Sequence, residues 1–205
     1  METEILPADE ARALERALEI LRAGGLVAFP TDTVYGVGSL AFDTQGIDKL
    51  YQVKERRHTK AIPILLSRKD QLEQVSSEIN ATVKRLSTRF WPGPLTLVLP
   101  RSAKLPANIS QVATIGVRIP DHPVALALID RAGPMAVTSA NLSGEQNTCT
   151  AQEVLKQLGG RIPLILDGGT TPGGAPSTVV DCTSPELRIL RSGPIPKRDL
   201  LAALS

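Results

Sequence analysis

The feature of this sequence that most restricts its fold is a repeated change between short apolar runs and segments with helical spacing. The apolar runs have the length of buried strands, and proline, glycine or polar residues end them. They fall at residues 26–29, 61–66, 95–99, 114–119, 135–138, 163–166, 178–182 and 187–190. Since strands and helices are mixed along the whole length, the pattern predicts an α/β layer architecture.

The segments between these runs predict helices. In the first, Leu14, Ala17, Leu18 and Leu21 fall on one face, and Gly24-Gly25 end it. Further helices are predicted at residues 43–53, 70–74, 78–90, 123–131 and 151–158 and after residue 196. Because two strands follow each other near the end, we expect a mixed sheet. No internal repeat or linker interrupts the pattern, which favours a single domain over residues 1–205.

Composition and charge argue against several classes of protein. Hydrophobic residues make up 42% of the chain, but no apolar run approaches the ~20 residues of a membrane-spanning helix. The acidic start of the chain is no secretory signal, and its two cysteines form neither a disulfide scaffold nor a metal pair, which predicts a cytoplasmic protein. A formal charge of +2 and 3% aromatic residues argue against RNA binding by bulk charge or base stacking.

Polar blocks at the ends of the predicted strands are the candidate site. Residues 30–38 collect two threonines, an aspartate and a tyrosine after a strand, where α/β sheets place ligands; a polar turn is an equal alternative. Residues 54–60 hold four permanent cations, which suits polyphosphate but is also typical of a solvated helix end. Residues 138–144 can bind phosphate or adenine, or cap a helix. Arginines at strand ends, Arg118 and Arg191, can bind a carboxylate or phosphate, or form ordinary ion pairs.

Several catalytic motifs are missing from the sequence. It has no G-x-x-x-x-G-K-[ST] loop, and Gly36-Val37-Gly38 lacks the third glycine of a dinucleotide fingerprint. There is no G-x-S-x-G elbow, and the histidines are His58 and His122 alone, so a Ser-His-Asp hydrolase has no support. Without H-x-x-E-H or C-x-x-C, we expect no zinc and no metal held by protein side chains.

Taken in order, these blocks resemble the YrdC family over about residues 18–193. The blocks are Pro30-Thr31-Asp32-Thr33-Val34-Tyr35-Gly36, Lys54-Glu55-Arg56, Phe90-Trp91-Pro92-Gly93-Pro94-Leu95-Thr96, Gly116-Val117-Arg118-Ile119-Pro120, Thr138-Ser139-Ala140-Asn141, Pro176-Ser177-Thr178-Val179-Val180-Asp181 and Arg191-Ser192-Gly193. The resemblance implies a single α/β domain with a twisted, mostly mixed sheet flanked by helices around a large basic cleft. Longer relatives carry an additional C-terminal domain, so the chain looks like the short, single-domain form.

The resemblance also implies an activity. It is that of a nucleotidyltransferase, threonylcarbamoyl-AMP synthase, which condenses L-threonine, bicarbonate or CO2 and ATP, and releases pyrophosphate. This reaction begins threonylcarbamoyladenosine (t6A) modification of tRNA next to the anticodon, and a separate transferase complex receives the product. The implied cofactor is Mg2+ with ATP, and weak tRNA binding is compatible with the resemblance. Two alternatives stay open: an RNA-binding module without catalysis, and a carbamoyltransferase that forms carbamoyl-adenylate.

Individual site residues follow from the resemblance by position. The nucleotide group comprises Lys54, Arg56, Thr138, Ser139, Asn141 and Arg191. Within it, Lys54 and Arg56 are the expected catalytic residues, because cations stabilise charge that develops on transferring phosphates. The threonine group comprises Thr33, Tyr35, Arg118 and Ser177. Family members commonly have proline after K-x-R, whereas Arg57 stands here, so the local loop is expected to differ.

Overall fold

The computed structural model describes residues 2–172, 175–184 and 186–204, and within them ten strands form one sheet. The strands are β1 (Glu4–Pro7), β2 (Val27–Phe29), β3 (Gly36–Leu40), β4 (Ile64–Leu65), β5 (Leu95–Pro100), β6 (Thr114–Arg118), β7 (Met135–Ser139), β8 (Leu164–Asp167), β9 (Thr178–Asp181) and β10 (Arg188–Arg191). The helices are α1 (Ala11–Arg22), α2 (Thr44–Val53), α3 (Leu72–Val75), α4 (Ala81–Phe90), α5 (Pro123–Ala132), α6 (Ala151–Leu158) and α7 (Lys197–Ala202). Short 3-10 turns occupy Lys69–Gln71 and Ala107–Ile109.

The sheet is mixed, as the sequence predicted. Its strand order is β1-β8-β2-β3-β7-β4-β6-β5-β9-β10. Four neighbouring pairs are parallel, namely β1–β8, β8–β2, β4–β6 and β5–β9, and the others are antiparallel. Strands β6 and β7 run in opposite directions on either side of β4, so the polar blocks lie at two ends of the sheet. The end of β6 lies level with the start of β9, whereas the end of β7 lies beside the start of β3, where Ser139 pairs with Gly36.

Two strands were missed by the sequence pattern. Strand β1 is too short to show an alternation of its own and depends on a parallel partner, β8, far along the chain. Strand β3 begins at Gly36, inside the polar block 30–38, where the sequence pattern predicted no strand. A Cβ at Gly36 or Gly38 would lie 2.8 Å from a methyl of Val137 on β7, so these glycines let the two strands approach closely.

Other predicted elements were shorter than expected. The apolar run at 61–66 contains only the two-residue strand β4, because residues 61–63 lead into it as a loop. The helix expected at 78–90 begins at Ala81, where Asn80 Oδ1 accepts the amide of Val83 at 3.0 Å as an N-cap. The segment predicted as a helix at 70–74 forms a 3-10 turn followed by α3.

The core is divided between the two faces of the sheet. On β2, Val27 and Phe29 pack with α1 and α5, while Ala28 between them packs on the opposite face. This alternation follows from the period of two along a strand. The opposite face is covered by apolar residues of α2, α4 and α6. In the described part of the chain, no helix has both the length and the apolar character needed to span a bilayer.

Candidate functional site

A cleft of about 360 Å³ lies on the α1/α5 face of the sheet. Its floor is formed by Thr96 and Val98 of β5, Gly116 of β6 and Val179 of β9. Their strand neighbours Leu95, Leu97 and Val117 are buried in the core on the other side. Gly116 keeps the floor low, since a Cβ there would come within 3.1 Å of the Thr96 methyl.

Arg118, the last residue of β6, has a buried guanidinium at the edge of this cleft. Its Nε donates to the Gly93 carbonyl at 3.0 Å, and its Nη1 donates to Thr33 Oγ1 at 3.1 Å. Nη2 forms an ion pair with Asp32, whose second carboxylate oxygen is buried without a protein partner. Burial lowers the pKa of Arg118, and the charge of Asp32 opposes that shift.

The turn after β2 holds Thr33, one of the groups that accept a hydrogen bond from Arg118. Thr31 Oγ1 donates to the Val34 carbonyl at 2.7 Å and accepts the amide of Thr33 at 3.2 Å. Its hydroxyl is also 3.1 Å from Thr33 Oγ1. These local bonds explain why a threonine-rich segment forms a tight turn, and they aim Thr33 at the cleft.

Ser177 and Arg191 form a second cluster in the wall. Ser177 Oγ lies 2.7 Å from Thr96 Oγ1 and accepts from Arg191 Nη2 at 3.1 Å. Arg191 Nε also donates to the Ser177 carbonyl at 3.0 Å. Gly193 is required next to this segment, because a Cβ there would lie 2.6 Å from the Pro176 carbonyl oxygen. Burial, followed by the nearby charge of Arg118, lowers the pKa of Arg191.

Tyr35 lines the cleft but uses its hydroxyl elsewhere. The hydroxyl donates to the Gly169 carbonyl at 2.8 Å and accepts the Gly168 amide at 3.2 Å. Burial raises the pKa of this phenol to about 12. Tyr35 therefore anchors the first residues of the loop after β8; residues 173 and 174 of this loop lie outside the described residues.

The nucleotide group is split by the structure. Arg56, Thr138, Ser139 and Arg191 line the cleft. The guanidinium of Arg56 is held by the carbonyls of Lys60, at 3.1 Å from Nε, and Ala61, at 2.8 Å from Nη2. Burial lowers the pKa of Arg56.

Lys54 and Asn141 do not line the cleft and lie in the protein interior, next to the cleft residue Ser139. The Lys54 side chain is buried, and its Nζ donates to the carbonyl oxygens of Ser139 and Asn141. Burial, with a smaller effect of the Arg56 charge, lowers the pKa of Lys54 to about 7. Asn141 donates its amide to the carbonyls of Leu142 and Glu145, and its Oδ1 is buried without a protein partner. Both residues thus shape the 139–141 turn from within.

Eight of the ten residues predicted for the site therefore line one cleft. Thr31 and Thr96 line it too; both lie in blocks quoted from the sequence but were given no role of their own, and Asn147 lies in none. Thr96 carries a signal that was available, because it alternates with the apolar Leu95 and Leu97 on a strand. Asn147 lies in a loop without any such pattern. The lining includes three arginines, Arg56, Arg118 and Arg191, but the net positive character of the cleft stays a prediction.

Histidine, cysteine and carboxylate side chains do not cluster in a way that suggests a metal site. Within residues 2–172, 175–184 and 186–204, no group of three or more of them could hold an ion. The cleft offers hydroxyls and guanidiniums, which suit anions and the oxygens of a metal-bound phosphate.

The mixed sheet, with a cleft bordered by three arginines on part of its α1/α5 face, defines an α/β protein with a candidate anion-binding site. The chain belongs to the Sua5/YciO/YrdC family, whose model, described as "Telomere recombination", matches residues 19–193. The resemblance to this family and the predicted fold class are thereby confirmed.

Similar proteins include threonylcarbamoyl-AMP synthases. The one from Bacillus subtilis is 40% identical over 194 residues, which cover 93% of this chain but 56% of that protein. The one from Vibrio cholerae serotype O1 is 35% identical over 184 residues, covering 88% of this chain and 97% of that protein. The crystal structure of Pyrococcus abyssi Sua5 complexed with L-threonine superimposes with a TM-score of 0.95 at 38% identity, covering 98% of this chain and 61% of that one.

Proposed function

We propose that this chain forms threonylcarbamoyl-AMP from L-threonine, bicarbonate or CO2, and ATP, with release of pyrophosphate. The observation that carries the proposal is a single cleft lined by Arg118, Thr33 and Ser177 together with Arg56 and Ser139. The first three suit an amino acid, and the other two suit a nucleotide phosphate. The names of the synthases that the chain resembles, and the threonine bound to P. abyssi Sua5, support this pairing.

Arg118 is suited to bind the threonine carboxylate. A guanidinium carries about five N–H donors, and the bonds to Gly93, Thr33 and Asp32 engage three of them. The remaining donors provide a second, charge-assisted attachment without moving the arginine. Because Arg118 is fixed on three sides, the carboxylate would be bound in one orientation, which holds the substrate amine in place.

ATP is proposed to bind as its magnesium complex along Arg56, Ser139 and Arg191. Mg2+ usually retains several waters and is held largely by substrate phosphates. The described side chains form no carboxylate cluster that would replace those ligands. The ion is therefore part of the substrate, and the arginines neutralise the remaining phosphate charge.

The chemistry proceeds in two steps in this proposal. The uncharged threonine amine bonds to the carbon of CO2 and loses a proton, which gives an N-carboxy anion. With bicarbonate the same anion forms as water leaves, and that water carries away the amine proton. One oxygen of this carbamate then attacks the α-phosphorus of ATP. The bond from the α-phosphorus to the bridging oxygen breaks, and pyrophosphate leaves with that electron pair. Positioning and charge stabilisation by Arg118 and Arg56 supply the catalysis, without a protein nucleophile.

Lys54 is proposed to hold the turn that carries Ser139. Its Nζ donates to the carbonyls of Ser139 and Asn141, so it fixes the backbone of this turn from the interior side. A direct phosphate contact by Lys54 or Asn141, as the family resemblance implies, stays a prediction. We also propose that the chain acts in the cytoplasm, that a tRNA threonylcarbamoyl transferase complex takes the product, and that tRNA itself binds only weakly.

Pyrophosphate release from Mg·ATP tests the proposal, with L-threonine and bicarbonate omitted in turn. We expect release only when both are present, and the adenylate product is then identified by mass spectrometry. Release that requires carbamoyl phosphate instead would favour a carbamoyl-adenylate-forming enzyme. A folded sample that releases nothing, yet binds RNA with steep salt dependence, would replace the proposal by the RNA-binding alternative.

A further inference from the structure

The end of helix α2 is a Schellman motif with an unusual residue in it. The amide of Glu55 donates to the Gln52 carbonyl at 3.1 Å, and the amide of Arg56 donates to the Tyr51 carbonyl at 2.9 Å. This pair of bonds requires a left-handed residue after the C-cap, a position that glycine normally fills. Here Glu55 takes that conformation, with φ 53°, as the only described non-glycine residue with positive φ.

A glutamate in this conformation needs support from outside the helix. Its Cβ makes the left-handed conformation unfavourable compared with glycine. Helix α2 also has no basic residue in its last turn, so none of its own side chains there can neutralise its C-terminal carbonyls.

Arg161 supplies both missing interactions from a distant part of the chain. It lies between α6 and β8, where its amide donates to the Leu158 carbonyl at 3.0 Å. Its Nη1 is 2.7 Å from Glu55 Oε1 and 3.3 Å from the carbonyl oxygen of Val53, the last residue of α2. One guanidinium thus binds the strained residue and caps the helix end.

This cap determines where Arg56 can go. The left-handed turn at Glu55 reverses the chain between two cations, so that Lys54 enters the protein interior and Arg56 borders the cleft. The Arg56 amide is itself one of the two Schellman donors. We propose that Arg161 is a positioning residue for Arg56, and that it acts through the Glu55 cap without touching substrate.

The inference deepens the proposed function and rests on it, because Arg56 is assigned to ATP there. Steady-state pyrophosphate release is measured for Arg161→Ala, Glu55→Gly and the double variant. Arg161→Ala is expected to raise KM for ATP by about two- to fivefold, because the variant loses an exposed ion pair and a contact to the helix end. KM for L-threonine should not change, since Arg118 and Thr33 are held by other contacts.

The rescue in the double variant separates positioning from a general loss of stability. Glycine adopts the left-handed conformation without help, so Glu55→Gly combined with Arg161→Ala should return KM for ATP to near the wild-type value. Arg131→Ala is the matched control, because Arg131 forms a similarly exposed pair with Glu15 between α5 and α1. It should leave both KM values unchanged.

Hydrogen exchange of the Arg56 amide gives a readout that needs no substrate. Protection should fall in Arg161→Ala and return in the double variant. Unchanged protection and unchanged KM for ATP in Arg161→Ala would overturn the inference, as would a double variant as impaired as Arg161→Ala. If the wild type releases no pyrophosphate at all, the proposed function fails, and the exchange data alone decide whether Arg161 holds the cap.

Discussion

The α1/α5 face of the sheet has two halves, one covered by helices and one that borders a cleft. Over β8 and β2, Leu164, Leu166 and Phe29 pack against α1 and α5. Over β5, β6 and β9, the same face carries Thr96, Gly116 and Val179, and a cleft lies above them. In both halves the side chains alternate between the two faces of the sheet, so the side chains that point to this face decide what can cover it. Large apolar residues bind a helix, whereas small and hydroxyl-bearing residues leave room for a ligand.

The largest effect that separates the two halves is expected for Arg118→Ala in the open half. Loss of a charge-assisted contact to substrate costs about 2.7–4 kcal/mol in comparable sites, or roughly 10²–10³-fold in kcat/KM. Pyrophosphate release at varied L-threonine concentration measures it. The variant should also lose stability, because Asp32 keeps a buried charge without its partner.

A second substitution distinguishes these two losses. Arg118→Ala combined with Asp32→Asn removes the stranded charge, so the free energy of unfolding should recover while activity does not. If activity recovered together with stability, Arg118 would serve the fold, and its assignment to the threonine carboxylate would be wrong.

In the covered half, Leu128→Ala should show the reverse behaviour. Leu128 of α5 is fully buried in the cluster beneath α1, and a Leu-to-Ala cavity costs about 2–5 kcal/mol of unfolding free energy. Urea denaturation measures this loss, and KM values below the transition should match the wild type. Val98→Ala, in the cleft floor, is the comparison; a loss of stability as large as that of Leu128→Ala would contradict the division between the halves.

The smallest expected effect concerns pH and Lys54, at the border of the open half. The native amine loses its proton near pH 7, whereas the ordinary lysine pKa is 10.5. Between these values the unfolded chain binds more protons than the native one, so the contribution of Lys54 to stability rises with pH across this window. Wild type minus Lys54→Met unfolding free energies should therefore increase from pH 7 to pH 9.

The control for this pH dependence is Lys84→Met, since Lys84 lies exposed on α4. Its difference from the wild type should stay flat over the same range. A Lys54→Met difference that is equally flat, or that falls with pH, would mean that the buried amine stays charged in the native protein.

Much of this fold follows from local sequence pattern, and its failures have physical causes. Helix α1 and strands β6 and β7 were predicted because an apolar face or a buried run marks each of them. Strand β3 was missed, because its glycines carry no hydrophobic signal and are required by the close approach of strand β7, Val137 above all. Strand β1 was missed because it is defined by pairing with β8, far along the chain, which a local pattern does not show.

Most residues predicted for the site line the cleft, but their binding roles stay predictions, and the inward orientation of Lys54 was not foreseen. Arg118 was expected at a strand end and is there, since both strand and arginine are local features. The separation of Lys54 from Arg56 depends on the left-handed conformation of Glu55. A glutamate in the sequence does not predict that conformation, which glycine usually adopts. It is Arg161, about a hundred residues later in the chain, that supports it, and such tertiary contacts are not encoded in a short motif.

The place of β8 between β1 and β2 has a consequence for how the protein emerges from the ribosome. Glu4 pairs with Leu164 and Pro7 with Asp167, while Val27 lies on the other side of Leu164. At about 5–20 residues per second, synthesis takes roughly ten to thirty seconds to reach β8 after β1 has been made. During that time β1 has no partner strand, and β2 presents an open edge to other nascent chains. Closure of the β1-β8-β2 part of the sheet is thus timed by translation, and this edge stays open until residue 167 has left the exit tunnel.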